Sequence, residues 1–387
     1  MSDAGVLSGG VALAASNPAA PAGTQRIERL QILRAIAAIM VVMFHVVSNY
    51  LPAGSVLLRH GFYGLLAGGV DIFFFISGFL IRTTTYATFG RANVVDYLKK
   101  RFARVVPYYW LITACVVSLS LIAPGAFRSY QFDWRHAAAS FFFIPWQRPD
   151  GMIYPPLVQG WSLNFEILFY LIFAALMVWV ARERVVTWLA VLFGAAIVGA
   201  NFTGANPELF IAGNPYVLEF VAGALFADLW RSRRGGFPAY AGWCALALAF
   251  ALLPWTCVGP FDGRMGIQIV GFAAFSIAFM TLPAVPAPLR ISAGLALLGE
   301  ASYSIYLVHP IVLSPLAQIL AKVGLSAHPI VILTIIPALA VAASFVAWRC
   351  VEQPLLSLSR RLLGLRQVES TSTRRALTTT AILADNP

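Results

Sequence analysis

The chain has 387 residues, 59% of them hydrophobic and only 11% charged, with a mean hydropathy of +0.78. Soluble proteins carry about 25% charged residues, so a water-soluble globular enzyme is excluded, as are fibrous and disordered classes. The net charge of +11 does not point to nucleic acid, because the basic residues are not gathered on a polar domain. The composition fits an all-α polytopic membrane protein, and the length allows about ten spans of ~20 residues with short loops.

Residues 1–25 are rich in Ala, Gly, Ser and Pro without periodicity, and lack the basic start and compact apolar run of a cleavable signal. They are expected to form a disordered tail. The membrane domain then covers 26–355, and 356–387 form a basic tail. Apolar runs predict spans near 30–50, 62–82, 105–124, 162–181, 185–202, 208–230, 239–258, 265–283, 297–322 and 328–350. Placing the N-terminus in the cytoplasm puts 20 of the 27 Lys and Arg residues on the inner side and six on the outer. That is a strong positive-inside bias, so both termini are expected in the cytoplasm. The outer segment 125–161, with Trp134, Phe141, Trp146 and four prolines, reads as an interfacial or re-entrant lid. Cys115, Cys244, Cys257 and Cys350 share no short paired spacing and read as small apolar residues, with no metal expected.

Ionisable residues inside spans cost about 2.5–3.5 kcal/mol each on insertion, so each needs a partner or a function. Arg34 and His45 are 11 residues apart in the first span. That is three turns plus about 20°, which sets them on one face roughly 16 Å apart. In the second span Asp71, Gly78 and Arg82 also share a face, and a carboxylate beside a glycine that permits close approach suggests a partner such as Arg34 or His45. Arg101 and Arg104 lie at the expected start of the third span, with Pro107 in its first turn. They satisfy the topology rule, and they also form a phosphate clamp at a helix's positive end. Ser162 is placed to cap the fourth span, with Glu166 in its first turn at the depth of His45. Glu219, Asp228, Glu300 and His309 are further buried-polar candidates; a hydrogen-bonded packing role fits His309 equally well.

The sequence resembles the acyltransferase-3 family of membrane-bound acyltransferases in six ordered motifs. These are the run from Leu30 through Arg34 to His45, Gly69-Val-Asp71 through Ser77-Gly78, and Arg101-Phe-Ala-Arg104. Then come Trp161-Ser-Leu-Asn-Phe-Glu166, Ser302-Tyr-Ser-Ile-Tyr306-Leu-Val-His309-Pro and Val351-Glu352-Gln-Pro354. The resemblance is greatest to the single-domain branch concerned with bacterial exopolysaccharides. It implies ten spans, acyl-CoA as co-substrate with no permanently bound cofactor, and O-acyl transfer to a carbohydrate or lipid-linked sugar, with acetyl the expected group. It further implies that His45 is essential, that Arg101 and Arg104 engage the donor with Arg34, and that Glu166 and Asp71 belong to the site. Ser77, Arg82, Tyr306 and His309 are secondary candidates.

The expected chemistry is a polar cavity lined by Arg34, His45, Asp71 and Glu166. His45 acts there as general base on a sugar hydroxyl, and Asp71 or Glu166 orients its ring. The competing expectation is a proton-coupled transporter or flippase of lipid-linked glycan, which also uses intramembrane His, Asp and Glu. Against it, no two-fold internal repeat is evident in the sequence. A structural subunit of a polysaccharide secretion complex would leave His45 dispensable. The expected location is a bacterial inner membrane, among lipids and polysaccharide biosynthesis proteins; three lysines against 24 arginines suit a high-GC genome.

Overall fold

Apolar segments in lipid must satisfy their own backbone, which favours helices. The computed structural model describes residues 22–51, 62–122, 132–149, 151–203, 211–233, 236–257, 264–283, 289–322 and 328–366, with 55 and 324. The helices are α1 (Ala22–Tyr50), α2 (Phe62–Ala67), α3 (Gly69–Thr85), α4 (Val94–Ile122), α5 (Trp134–Phe141), α6 (Trp161–Trp179) and α7 (Val185–Thr203). They continue as α8 (Val217–Ser232), α9 (Ala239–Leu252), α10 (Met265–Thr281), α11 (Leu289–Glu300), α12 (Ser302–Lys322), α13 (Ile336–Ala347) and α14 (Gln353–Leu362).

Among the described residues, eight helices are long and apolar enough to cross a membrane, fewer than the ten expected. The sixth and eighth expected spans are α8 and α10, of 16 and 17 residues. The ninth begins at Ser302, because α11 ends at Glu300. The helix at the N-terminus already starts at Ala22, inside the segment read as a tail; residues 1–21 lie outside the described residues. The C-terminal tail likewise begins as helix, since α14 runs to Leu362. Within the expected lid, α5 is a short helix capped by Asp133, tied to α4 by Tyr109–Ser140 and Trp110–Phe141 hydrogen bonds. Trp134 at its start and Phe142 just after its end are exposed.

The largest correction concerns α4. It starts at Val94, about three turns before the expected span, because Asp96 and Lys100 pair at i, i+4 on its polar first turns. Arg101 and Arg104 therefore sit in the helix body and Pro107 is interior. The positive helix end cannot contribute to a clamp there.

Glycines decide how closely the helices approach. α3 and α8 run in the same direction, with Asp71 meeting Glu219 and Arg82 meeting Asp228. A Cβ on Gly78 would lie 2.0 Å from the Phe220 carbonyl oxygen, and one on Gly223 would lie 2.0 Å from that of Phe75. The shared face of Asp71, Gly78 and Arg82 is thus the α3–α8 packing face. At Gly299 of α11 a Cβ would lie 1.9 Å from the Gln31 carbonyl oxygen of α1.

The run from Val331 to Leu362 contains two π-turns, Val331–Ile335 and Trp348–Glu352. Each precedes a proline, Pro337 or Pro354, whose missing N–H and ring disturb the preceding turn. The second π-turn carries Glu352 into the interior, where it is 2% exposed.

Candidate active site

α1, α3, α4, α6 and α12 line a partly open cavity of about 800 Å³, the solvent at its mouth included. One end is cationic. Arg34, Arg101 and Arg104 all line it, with Leu80 and Val105 beside them. Arg104 donates to Glu352 at 2.7 Å and lies over the Tyr303 ring. Arg101 lies near the Tyr97 and Tyr170 rings, donates to Thr84 Oγ1 at 3.4 Å, and has a buried Nε with no acceptor. Arg34 donates to Gln31 at 3.2 Å and is within electrostatic reach of Arg104, Glu352 and Glu166. Against three guanidiniums the cavity lining itself offers one carboxylate, Glu166.

Glu166 Oε1 accepts from Ser77 Oγ at 3.0 Å and from the Tyr170 hydroxyl. It does not orient His45. Its helix is capped at Gly160 without a side-chain bond, and Ser162, the expected cap, instead donates to the Gln159 carbonyl at 3.2 Å. The helix thus begins earlier than the Ser162 cap implied, which leaves Glu166 in its second turn, among Ser77 and Tyr170.

At its other end the cavity is closed by Ser162 and Tyr306, whose hydroxyls are 2.7 Å apart. Tyr306 also donates to the Gln159 carbonyl at 3.0 Å. His45 lies just beyond this pair, outside the lining, and is half-buried. Its Nδ1 is 2.8 Å from the Val41 carbonyl oxygen, one turn back on α1. A carbonyl only accepts, so Nδ1 carries the proton and Nε2 keeps its lone pair. The Gln159 amide nitrogen lies 3.3 Å from that Nε2.

His309 repeats the arrangement on α12: its Nδ1 is 2.8 Å from the Ile305 carbonyl, so its Nε2 is an acceptor. That Nε2 lies 3.3 Å from His45 Nδ1. The His45 N–H is therefore shared between Val41 and a fully buried histidine. A main-chain carbonyl and an imidazole hold the ring where a carboxylate was expected.

Asp71 is outside the cavity. It is 1% exposed, accepts from Gln268 Nε2 at 2.9 and 3.0 Å, and rests against Glu219, itself 1% exposed. The Glu219 carboxyl oxygens have no hydrogen-bond partner among the described residues, and the Gln268–Asp71 bonds tie α3 to α10. The sequence could not distinguish this partner set from Arg34 or His45, because all lie on apolar helices. Asp71→Asn is expected to keep both folding and turnover, since the amide can still accept from Gln268. Asp71→Leu is expected to lower thermal stability by about 1–3 kcal/mol for each polar group left unpaired, with turnover per folded molecule preserved. Melting curves and turnover measured together in detergent test this, and a selective loss of turnover in Asp71→Asn would contradict it. Arg82 is also away from the cavity, paired with Asp228 at 2.7 Å.

The structure adds residues that the sequence reading did not single out as site members. Gln159, Tyr170 and Tyr303 contribute hydrogen bonds or ring faces, and Glu352 supplies the buried partner of Arg104. Of these, Tyr303 and Glu352 carried a sequence cue, since each lies within one of the six ordered motifs.

An acyltransferase domain matches residues 27–349, which include every residue of the cavity. Exopolysaccharide production protein ExoZ of Rhizobium meliloti (strain 1021) is 32% identical over 305 residues, 76% of this chain and 90% of that protein. O-acetyltransferase OatA of Staphylococcus aureus (strain NCTC 8325 / PS 47) is 24% identical over 72% of this chain and 49% of its own length. Peptidoglycan O-acetyltransferase OatA of Listeria monocytogenes (serovar 1/2a, strain ATCC BAA-679 / EGD-e) is 27% identical over 52% of this chain and 34% of its own length. The chain therefore spans about half or less of the two O-acetyltransferases. No solved structure matches it. With its apolar helices, its cationic cavity and a matching domain over most of its length, the chain belongs to the acyltransferase-3 family of membrane-bound acyltransferases.

Proposed function

We propose that the protein is an O-acyltransferase that moves an acyl group, with acetyl the expected one, from acyl-CoA to a hydroxyl of a cell-surface or lipid-linked polysaccharide. The observation that carries this reading is the polarity of one cavity. Three guanidiniums stand at one end, and just past the other stands an imidazole whose Nε2 keeps its lone pair, 3.3 Å from the Gln159 amide nitrogen. The cationic end suits the pyrophosphate of CoA, with Arg101, Arg104 and Arg34 as its ligands. The mostly apolar middle, formed by Phe73, Phe74, Ile76 and Leu163, suits the uncharged pantetheine arm.

In the proposed reaction, His45 Nε2 removes the proton of the acceptor hydroxyl as its oxygen attacks the thioester carbonyl. The C–S bond then breaks, and the imidazolium returns the proton to the CoA sulfur. Positive charge that develops on His45 is stabilised by the Val41 carbonyl and by His309 Nε2. Tyr306 and Ser162 are the hydroxyls at the cavity end nearest His45, and one that turned its proton away from the Gln159 carbonyl would donate to an oxyanion there. Glu166, held by Ser77 and Tyr170, balances the cationic wall rather than acting on His45.

The test is mass spectrometry and NMR of surface polysaccharides from a deletion strain, compared with strains restored by wild type or by His45→Ala at equal expression. One ester should vanish on deletion and return only with the wild type. Unchanged esters with collapsed export or chain length would replace this reading with the carrier.

A further inference from the structure

We infer that the arginines gathered on Tyr86 form a subsite for a phosphate ester, the 3′-phosphate at the nucleotide end of the donor. This rests on the acyl-CoA reading above. Three guanidiniums from three elements converge on one half-buried ring. Arg82 in the last turn of α3 lies 4.7 Å from the ring centroid, Arg182 of the turn after α6 lies at 4.8 Å, and Arg231 in the last turn of α8 lies at 3.4 Å.

Two carboxylates accompany these three cations. Asp228 binds Arg82 through Nε and Nη2 at 2.7 and 3.0 Å, and Glu183 accepts from Arg182 at 2.8 Å. Arg231 has no ion pair among the described residues. Arg82 is 1% exposed and its Nη1 is buried with no acceptor. Like charges this close repel unless an anion joins them. Topology alone asks only for scattered basic residues; it does not gather three on one ring.

The cluster lies outside the cavity lining, at the end of a helix that also forms part of the cavity wall. Thr84, between Arg82 and Tyr86, accepts from Arg101, while Leu80 and Ser77 on the same helix line the cavity wall. From Ser77 to Tyr86 is nine residues, roughly 13 Å of helix. A donor with its pyrophosphate at Arg101 would thus carry its nucleotide along the end of α3 to Tyr86. Arg182 and Arg231 are exposed there, open to a ligand arriving from water, and their planar forks match a phosphate.

A phospholipid headgroup offers the same phosphate chemistry, so the test separates the two sources. Binding of CoA and of 3′-dephospho-CoA is measured by calorimetry on the full chain in phosphatidylcholine nanodiscs, then with phosphatidylglycerol added. The expected result is at least about tenfold tighter binding of CoA, unaffected by phosphatidylglycerol. Arg231→Ala and Arg182→Ala should each bring the two affinities together, and Arg231→Lys should recover part of the difference. Arg231→Gln replaces the alanine variant if that variant melts early. Equal affinities in the wild type, or a preference that survives both substitutions, would overturn the subsite. A preference erased by phosphatidylglycerol would assign the cluster to lipid and also overturn it. Failure to bind either nucleotide would reject the acyl-CoA reading itself.

Discussion

Alanine at position 45 should lower acyl transfer by about 10²–10⁴-fold, the usual contribution of a positioned acid–base group. The donor's dissociation constant should stay near that of the wild type, because His45 is outside the cavity lining. The structure also grades the neighbours. His309 accepts from the same N–H that Val41 accepts, so its removal leaves one of two restraints in place. His309→Ala should therefore cost turnover roughly tenfold, in the range of one charge-assisted hydrogen bond. His309→Gln, whose amide oxygen can accept, should recover part of that loss. Single-turnover rates with radiolabelled acetyl-CoA, alongside separate binding measurements, test the set. If His45→Ala lost binding while its single-turnover rate at saturation was unchanged, the imidazole would be a binding group and the acid–base role would fall.

The second large effect is expected far from the chemistry. Gly78→Ala and Gly223→Ala each place a methyl group 2.0 Å from a backbone carbonyl oxygen of the facing helix. Backbone cannot step aside as a flexible side chain can, so α3 and α8 must separate. The Arg82–Asp228 pair, buried on the Arg82 side only, and the Asp71–Glu219–Gln268 group span that same interface. Each buried polar group left unpaired costs about 1–3 kcal/mol, and several such losses together approach the stability of a domain. Neither variant should accumulate as folded protein in the membrane. Gly194→Ala and Gly199→Ala, which meet open space on α7, should accumulate normally. Fluorescence-detected size-exclusion profiles at matched expression compare the four. Normal profiles for Gly78→Ala and Gly223→Ala would mean that the helices are not in van der Waals contact there.

How far the sequence could be read depended on whether a feature was local. The spacing of Arg34 and His45 on one helical face, and of Asp71, Gly78 and Arg82 on another, follows from 100° per residue and needs no partner. The partners were not legible. The sequence suggests a cation or imidazole for Asp71, which lies against Gln268 and Glu219, because nothing in an apolar helix's own sequence says which neighbour its polar face will meet. Glu166 was set beside His45 by depth alone, whereas Ser77 and Tyr170 hold it. Rotation of a helix about its axis is decided by packing and leaves no trace in depth.

By itself the sequence determined the class of the protein, because the deficit of charge, the repeated apolar runs and the positive-inside bias follow from the energetics of lipid and water. Six ordered motifs also sufficed to indicate the family to which the chain belongs. Only the tertiary structure decided the working geometry. It placed Arg101 and Arg104 in a helix body instead of at a helix end, and drew Glu352 inward through a π-turn before Pro354. It also gave His45 a carbonyl and a second histidine as partners. The His45–His309 contact joins residues 264 apart in the chain, and its energy acts only once the helices have packed.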